Sequence, residues 1–132
     1  MDAYISRRAS TELKAAVLLY AEKDRIGFLI GHKRGHRYFV ESIIHSYSDS
    51  LFTENIFFTL NDLFADKIIG FFSLSTNKDK RNIFFNPLGV GKLLIDIHPG
   101  EKSIFKLKSF QIDYEGRYQL KPIELSLKEI KV

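Results

Sequence analysis

The chain has 132 residues and no cysteine, so it is the size of one ordinary domain and can form neither a disulfide nor a thiolate metal site nor a cysteine nucleophile. Its 20 basic and 16 acidic residues leave a formal charge of +4, which permits an anionic partner without demanding one. No apolar run reaches the roughly 20 residues needed to cross a bilayer, and the first eight residues lack an apolar leader core, so the sequence reads as a cytoplasmic protein with no membrane segment.

Ser10 reads as a helix N-cap with Glu12 in the first turn, and Leu13, Ala16, Val17, Tyr20 and Ala21 follow at helical spacing, which predicts an amphipathic helix over 11–23. Residues 26–30 form a short apolar run closed by Gly31, and 37–44 read as the strand that returns after the polar turn Gly31-His32-Lys33-Arg34-Gly35-His36. Phe52, Ile56, Leu60, Leu63 and Phe64 predict a second helix over about 52–65. Residues 67–74 are almost continuously apolar, as in a strand covered on both faces; 77–82 are polar and predict a loop. Residues 93–97 read as another buried strand, stopped by His98-Pro99-Gly100, and 103–114 and 119–127 alternate as strands joined through Glu115-Gly116. There is no repeat and no linker, so 1–132 reads as a single domain: an α/β arrangement with a mixed β-sheet flanked by helices.

Three stretches give this order a closer reading. They are Asp24-Arg25-Ile26-Gly27-Phe28-Leu29-Ile30-Gly31, then Ile68-Ile69-Gly70-Phe71-Phe72-Ser73-Leu74-Ser75, then Leu93-Leu94-Ile95-Asp96-Ile97-His98-Pro99 with the strand after it. Together they resemble the JAB/MPN (JAMM) metallo-isopeptidase family over about residues 10–115. The resemblance implies that family's fold, a cytidine-deaminase-like α/β architecture. It also implies a zinc site of two histidines in His-x-His and a later aspartate, a water in the fourth position, and an early glutamate as general base.

Carried onto this chain, the ligand positions are Ser73, Ser75 and Asn86, and the base position is Asp24. Two neutral hydroxyls and an amide cannot replace two imidazoles and a carboxylate as zinc ligands, so no metal and no cofactor is expected. The resemblance therefore implies a catalytically inactive JAB/MPN-like module, a pseudoenzyme that binds a protein partner or a second copy of itself.

Other patterns carry less. His32 and His36 stand four apart, but in a turn, where a solvated basic cluster outweighs a metal site. Gly89-Val90-Gly91-Lys92 fails the phosphate-loop pattern, because Asn86 stands where its first glycine belongs and Leu93 follows the lysine. Basic clusters at Arg7-Arg8, at Lys33, Arg34 and Arg37, and at Lys78, Lys80 and Arg81 support the alternative reading, a nucleic-acid or polyanion-binding module. Phe71-Phe72 and Phe84-Phe85 read as core or dimer surface, since no alternation of aromatic and basic residues marks a stacking platform.

Overall fold

The computed structural model describes residues 1–20, 26–45, 54–64, 66–74 and 84–132. The elements in chain order are β1 (Asp2–Ile5), α1 (Arg7–Tyr20), β2 (Ile26–Arg34), β3 (Arg37–His45), α2 (Glu54–Leu63), β4 (Ile68–Ser73), β5 (Leu93–Pro99), β6 (Ile104–Tyr114), β7 (Tyr118–Pro122), β8 (Glu124–Leu125) and β9 (Glu129–Lys131). The sheet runs β7-β6-β5-β4-β2-β3-β1-β8, with β9 paired to the start of β6.

The expected helix-flanked α/β layering is not what this chain builds. Strands dominate, and only Ile123 separates β7 from β8. The two ends of the strand path are thus neighbours in sequence, and the sheet rolls into a nearly closed, barrel-like form. The seam is held at Ile123, whose N–H donates to the Ser109 carbonyl at 3.0 Å, while Ser109 Oγ donates to the Ile123 carbonyl at 2.6 Å. Beyond it, β8 runs parallel to β1, and Ser126 accepts from the Ile5 N–H at 3.1 Å. Closure leaves less unpaired backbone at the sheet margins than an open sheet would.

The strands sort the core into two sets. Leu29, Tyr38, Val40, Phe72, Leu93, Ile95 and Leu107 share one buried cluster with Ala9, Leu13, Ala16 and Val17 of α1. Phe28, Phe71, Leu94 and Ile112 belong to a second cluster with Phe84, against which Leu60 of α2 and Leu88 pack. Adjacent residues such as Phe28 and Leu29, or Phe71 and Phe72, fall in different clusters, as the period of two in a strand requires. Phe71, Phe72 and Phe84 are therefore core residues.

The first helix begins at Arg7 because Ser6, rather than Ser10, is its cap. Ser6 Oγ accepts from the Ala9 N–H at 3.0 Å and donates to the Glu41 carbonyl at 2.9 Å, so one hydroxyl both starts α1 and ties it to β3. Ser6→Ala should lower unfolding free energy by about 1–2 kcal/mol in a urea titration. Ser10→Ala should change it much less.

Candidate functional site

Strand pairing decides which side chains meet. β2 is antiparallel to both β3 and β4, and β4 is parallel to β5. The end of β2, the start of β3, the start of β4 and the start of β5 therefore lie at one end of the sheet. Lys33 comes from the first of these, Tyr38 from the second, Lys67 from the residue before the third and Lys92 from the residue before the fourth. Together with Gly31, His32, Asp66, Ile68, Ile69 and Gly91 they line a cleft of about 290 Å³.

Each wall has its own anchor. Gly31 donates its N–H to the Lys67 carbonyl at 2.9 Å, and a Cβ on Gly31 would stand 1.8 Å from the Phe39 carbonyl oxygen, so only glycine fits there. Lys67 follows Asp66, which turns the chain out of α2 with φ of 62° and whose carboxylate accepts from Asn61 Nδ2. Gly91 sits at φ of 84°, a conformation that costs glycine little. Its N–H donates to the Ile112 carbonyl at 2.7 Å, and the Ile112 N–H donates to the Lys92 carbonyl at 2.9 Å, docking this turn on β6.

Tyr38, 1% exposed, forms the inner wall. Its hydroxyl donates to the Gly91 carbonyl at 2.6 Å and accepts from Gln111 Nε2 at 2.8 Å. The Lys33 ammonium lies 4.9 Å from the centre of the Tyr38 ring, within cation–π range. Lys33 and Lys67 are exposed and Lys92 is half-buried. Among the described residues none of the three forms an ion pair, whereas Lys121 bonds Asp113 and Glu115, and Lys128 bonds Glu124. The hydrogen bond to Asp113 holds the Lys121 ammonium above its ordinary pKa. Lys92 shifts the other way: burial pushes it below its ordinary 10.5, Asp66 pulls it partly back and Lys33 adds to the fall.

The other face of the same hairpin is different. Tyr4, Phe39 and His32 stand in one row across β1, β3 and β2, with ring centres 5.6 Å and 4.9 Å apart and planes within 15° of parallel. The Arg37 guanidinium lies over Tyr4 and that of Arg34 over Phe39. Arg37 also faces Asp2 at 3.4 Å, and His32 Nδ1 lies 2.6 Å from Glu41 Oε1. The basic run at 33–37 is thus split: Lys33 turns into the cleft, while Arg34 and Arg37 lie on the opposite face. Arg8 of the first basic cluster pairs with Glu12.

Of the positions singled out by resemblance, Ser73 ends β4, 1% exposed, beside Ile26 and Asp96, at the opposite end of the strand from the lysine cleft. Asn86 shapes the turn before β5, its Oδ1 accepting from the N–H groups of Leu88 at 2.9 Å and Gly89 at 3.2 Å. Asp24, Ser75, Lys78, Lys80 and Arg81 lie outside the described residues. Among the described residues no group of three or more His, Cys, Asp or Glu side chains is placed to hold a metal ion, and no helix is long and apolar enough to cross a membrane.

No family model matches the chain, and no curated protein matches it. Among solved structures, the solution structure of protein DSY2949 from Desulfitobacterium hafniense is similar, with a TM-score of 0.64 and 16% identity, over 96% of this chain and 94% of that one. At that identity the likeness concerns the fold alone.

The lowered Lys92 pKa has a thermodynamic sign. The folded chain releases this proton at a lower pH than the unfolded chain does, so between the two values the unfolded state binds more protons and stability rises with pH. Lys92→Met should flatten the pH dependence of urea unfolding across the alkaline range up to 10.5. Equal slopes for the two chains would mean the ammonium pays no penalty for its burial.

Proposed function

We propose that the chain is a catalytically inactive binding module that docks an acidic segment of a protein partner on the lysine cleft. The observation that carries this reading is the convergence of Lys33, Lys67 and Lys92 on one concave site without an ion pair among the described residues. Three ammoniums and the one Asp66 carboxylate leave a local excess of positive charge that an anionic partner would neutralise. A second copy suits the site less well, since each copy carries a net +4.

The loss of the resembled family's zinc chemistry is supported at two positions. Ser73 is buried in a strand end, and the Asn86 amide oxygen already accepts two backbone bonds, so neither offers a zinc ligand to an open site. The relationship to the JAB/MPN family belongs to this proposal as a likeness of sequence wording, apart from the helix-flanked layering.

The nucleic-acid alternative gains one observation, the aromatic row with its two arginines. That row suits bases poorly. A stacking platform offers free ring faces, whereas Tyr4, Phe39 and His32 stack on one another and Arg37 already faces Asp2.

A glutamate-rich peptide titrated into the intact chain should bind saturably, and its affinity should fall as salt rises. Lys67→Glu, at an exposed position, should weaken binding about tenfold with little change in melting temperature. Tighter binding of single-stranded DNA that is lost with Arg34→Ala would replace this reading with the alternative.

A further inference from the structure

The cleft's charge and donor set identify the anion more closely, a step that rests on the docking reading above. We propose that the cleft holds one phosphomonoester group, set among the ammoniums of Lys33, Lys67 and Lys92.

Three observations point there. The first is charge. Lys33, Lys67 and Lys92 against Asp66 leave a local charge of +2 on the cleft wall. A carboxylate would neutralise half of that; a phosphomonoester carries about −1.5 to −2 at neutral pH and would neutralise nearly all.

The second is the kind of donor. The polar groups at the back of the cleft are already committed: the Tyr38 hydroxyl to Gly91 and Gln111, the Gly91 N–H to Ile112, and the Gly31 N–H to Lys67. Recognition therefore falls to three lysine heads. A planar carboxylate is best read by the fixed fork of an arginine, and among the described residues the cleft has none. A tetrahedral oxyanion accepts from several directions, which suits point charges on flexible stems that approach from three strand ends.

The third is size and desolvation. A cleft of about 290 Å³ lies at the small end of the range for ligand sites, roughly 300–1,000 Å³. It has room for a phosphoryl group together with part of the molecule that bears it. Lys92 is the half-buried member, and it lies close enough to Lys33 for the two charges to oppose each other. A dianion between them would relieve both that repulsion and the loss of water. The site is not a phosphate loop: Gly91 and Lys92 lead into strand β5 rather than into a helix, so no helix N-terminus takes part.

The same chemistry can come from a phosphorylated side chain of a protein partner or from a small phosphorylated molecule. Amide NMR titrations of the intact chain distinguish them. The probes are inorganic phosphate, acetate, a phosphoserine peptide and its glutamate counterpart, all at matched ionic strength. Phosphate should give saturable shifts at Gly31, Gly91 and Lys92, and acetate should bind at least about fivefold more weakly. Lys67→Met should weaken phosphate binding about fivefold without lowering the melting temperature, and Lys92→Met should do so while remaining folded by its amide spectrum. A phosphopeptide about tenfold tighter than free phosphate identifies a protein source, and equal affinities identify a small molecule.

Equal responses to phosphate and acetate would overturn the proposal, as would phosphate shifts confined to Arg34 and Arg37, or a Lys67→Met chain that binds unchanged. If the glutamate peptide binds at the cleft and phosphate is silent, the phosphate assignment falls and the docking reading stands. If neither binds, both fall.

Discussion

A phenol buried as fully as Tyr38 loses roughly 1–3 kcal/mol if its hydroxyl finds no partner. Here the hydroxyl donates to Gly91 and accepts from Gln111, so both its capacities are used. Those two bonds join β3 to the turn ahead of β5 and to β6, across strands that do not neighbour one another in the sheet. The same residue offers its ring to Lys33, while its bond to Gly91 fixes the residue next to Lys92. The basic end of the sheet thus takes its shape from a core requirement, the satisfaction of one buried polar group.

The second constraint is topological. Lys33, Lys67 and Lys92 are far apart in sequence, and the antiparallel β2–β4 and parallel β4–β5 pairings bring them to one end. Some surface cations are matched with acids, as at Lys121, Lys128, Arg8 and Arg37. Among the described residues of the cleft three lysines share one carboxylate, and burial lowers the pKa of Lys92. Like charges held together in a partly desolvated site weaken the fold unless a partner neutralises them. That imbalance is the physical basis of the functional reading.

Much of the secondary structure is legible in the sequence, because apolar runs such as 68–74 and 93–97 and the helical spacing from Leu13 to Val17 are strong local patterns. The architecture is not. β1 and β9 are four and three residues long, too short to show alternation. β1 finds its partners in β3 and in the distant β8, through pairings that leave no local trace. Those pairings roll the sheet up and overturn the expected helix-flanked layers. The start of α1 shifts for a similar reason: the sequence reading places the cap at Ser10, whereas Ser6 caps the helix and bonds to the distant Glu41 carbonyl, a contact with no local trace. Of the cleft, only Lys33 stands out in sequence, within a basic run. Lys67 and Lys92 read as ordinary strand margins, and Lys92 belongs to a motif that fails as a phosphate loop. Their convergence becomes visible only once the strand order is known. The family resemblance points instead to Ser73, at the far end of β4.

The functional role of the cleft requires that Lys33, Lys67 and Lys92 surround it together in solution. Cross-linking of the intact chain with a short amine-reactive reagent, read by mass spectrometry, tests it most directly. Links between Lys67 and Lys92 and between Lys33 and Lys92 are the result this strand order predicts. Efficient links from Lys67 or Lys92 to Lys106 or Lys108 of β6, with none among the three, would contradict it.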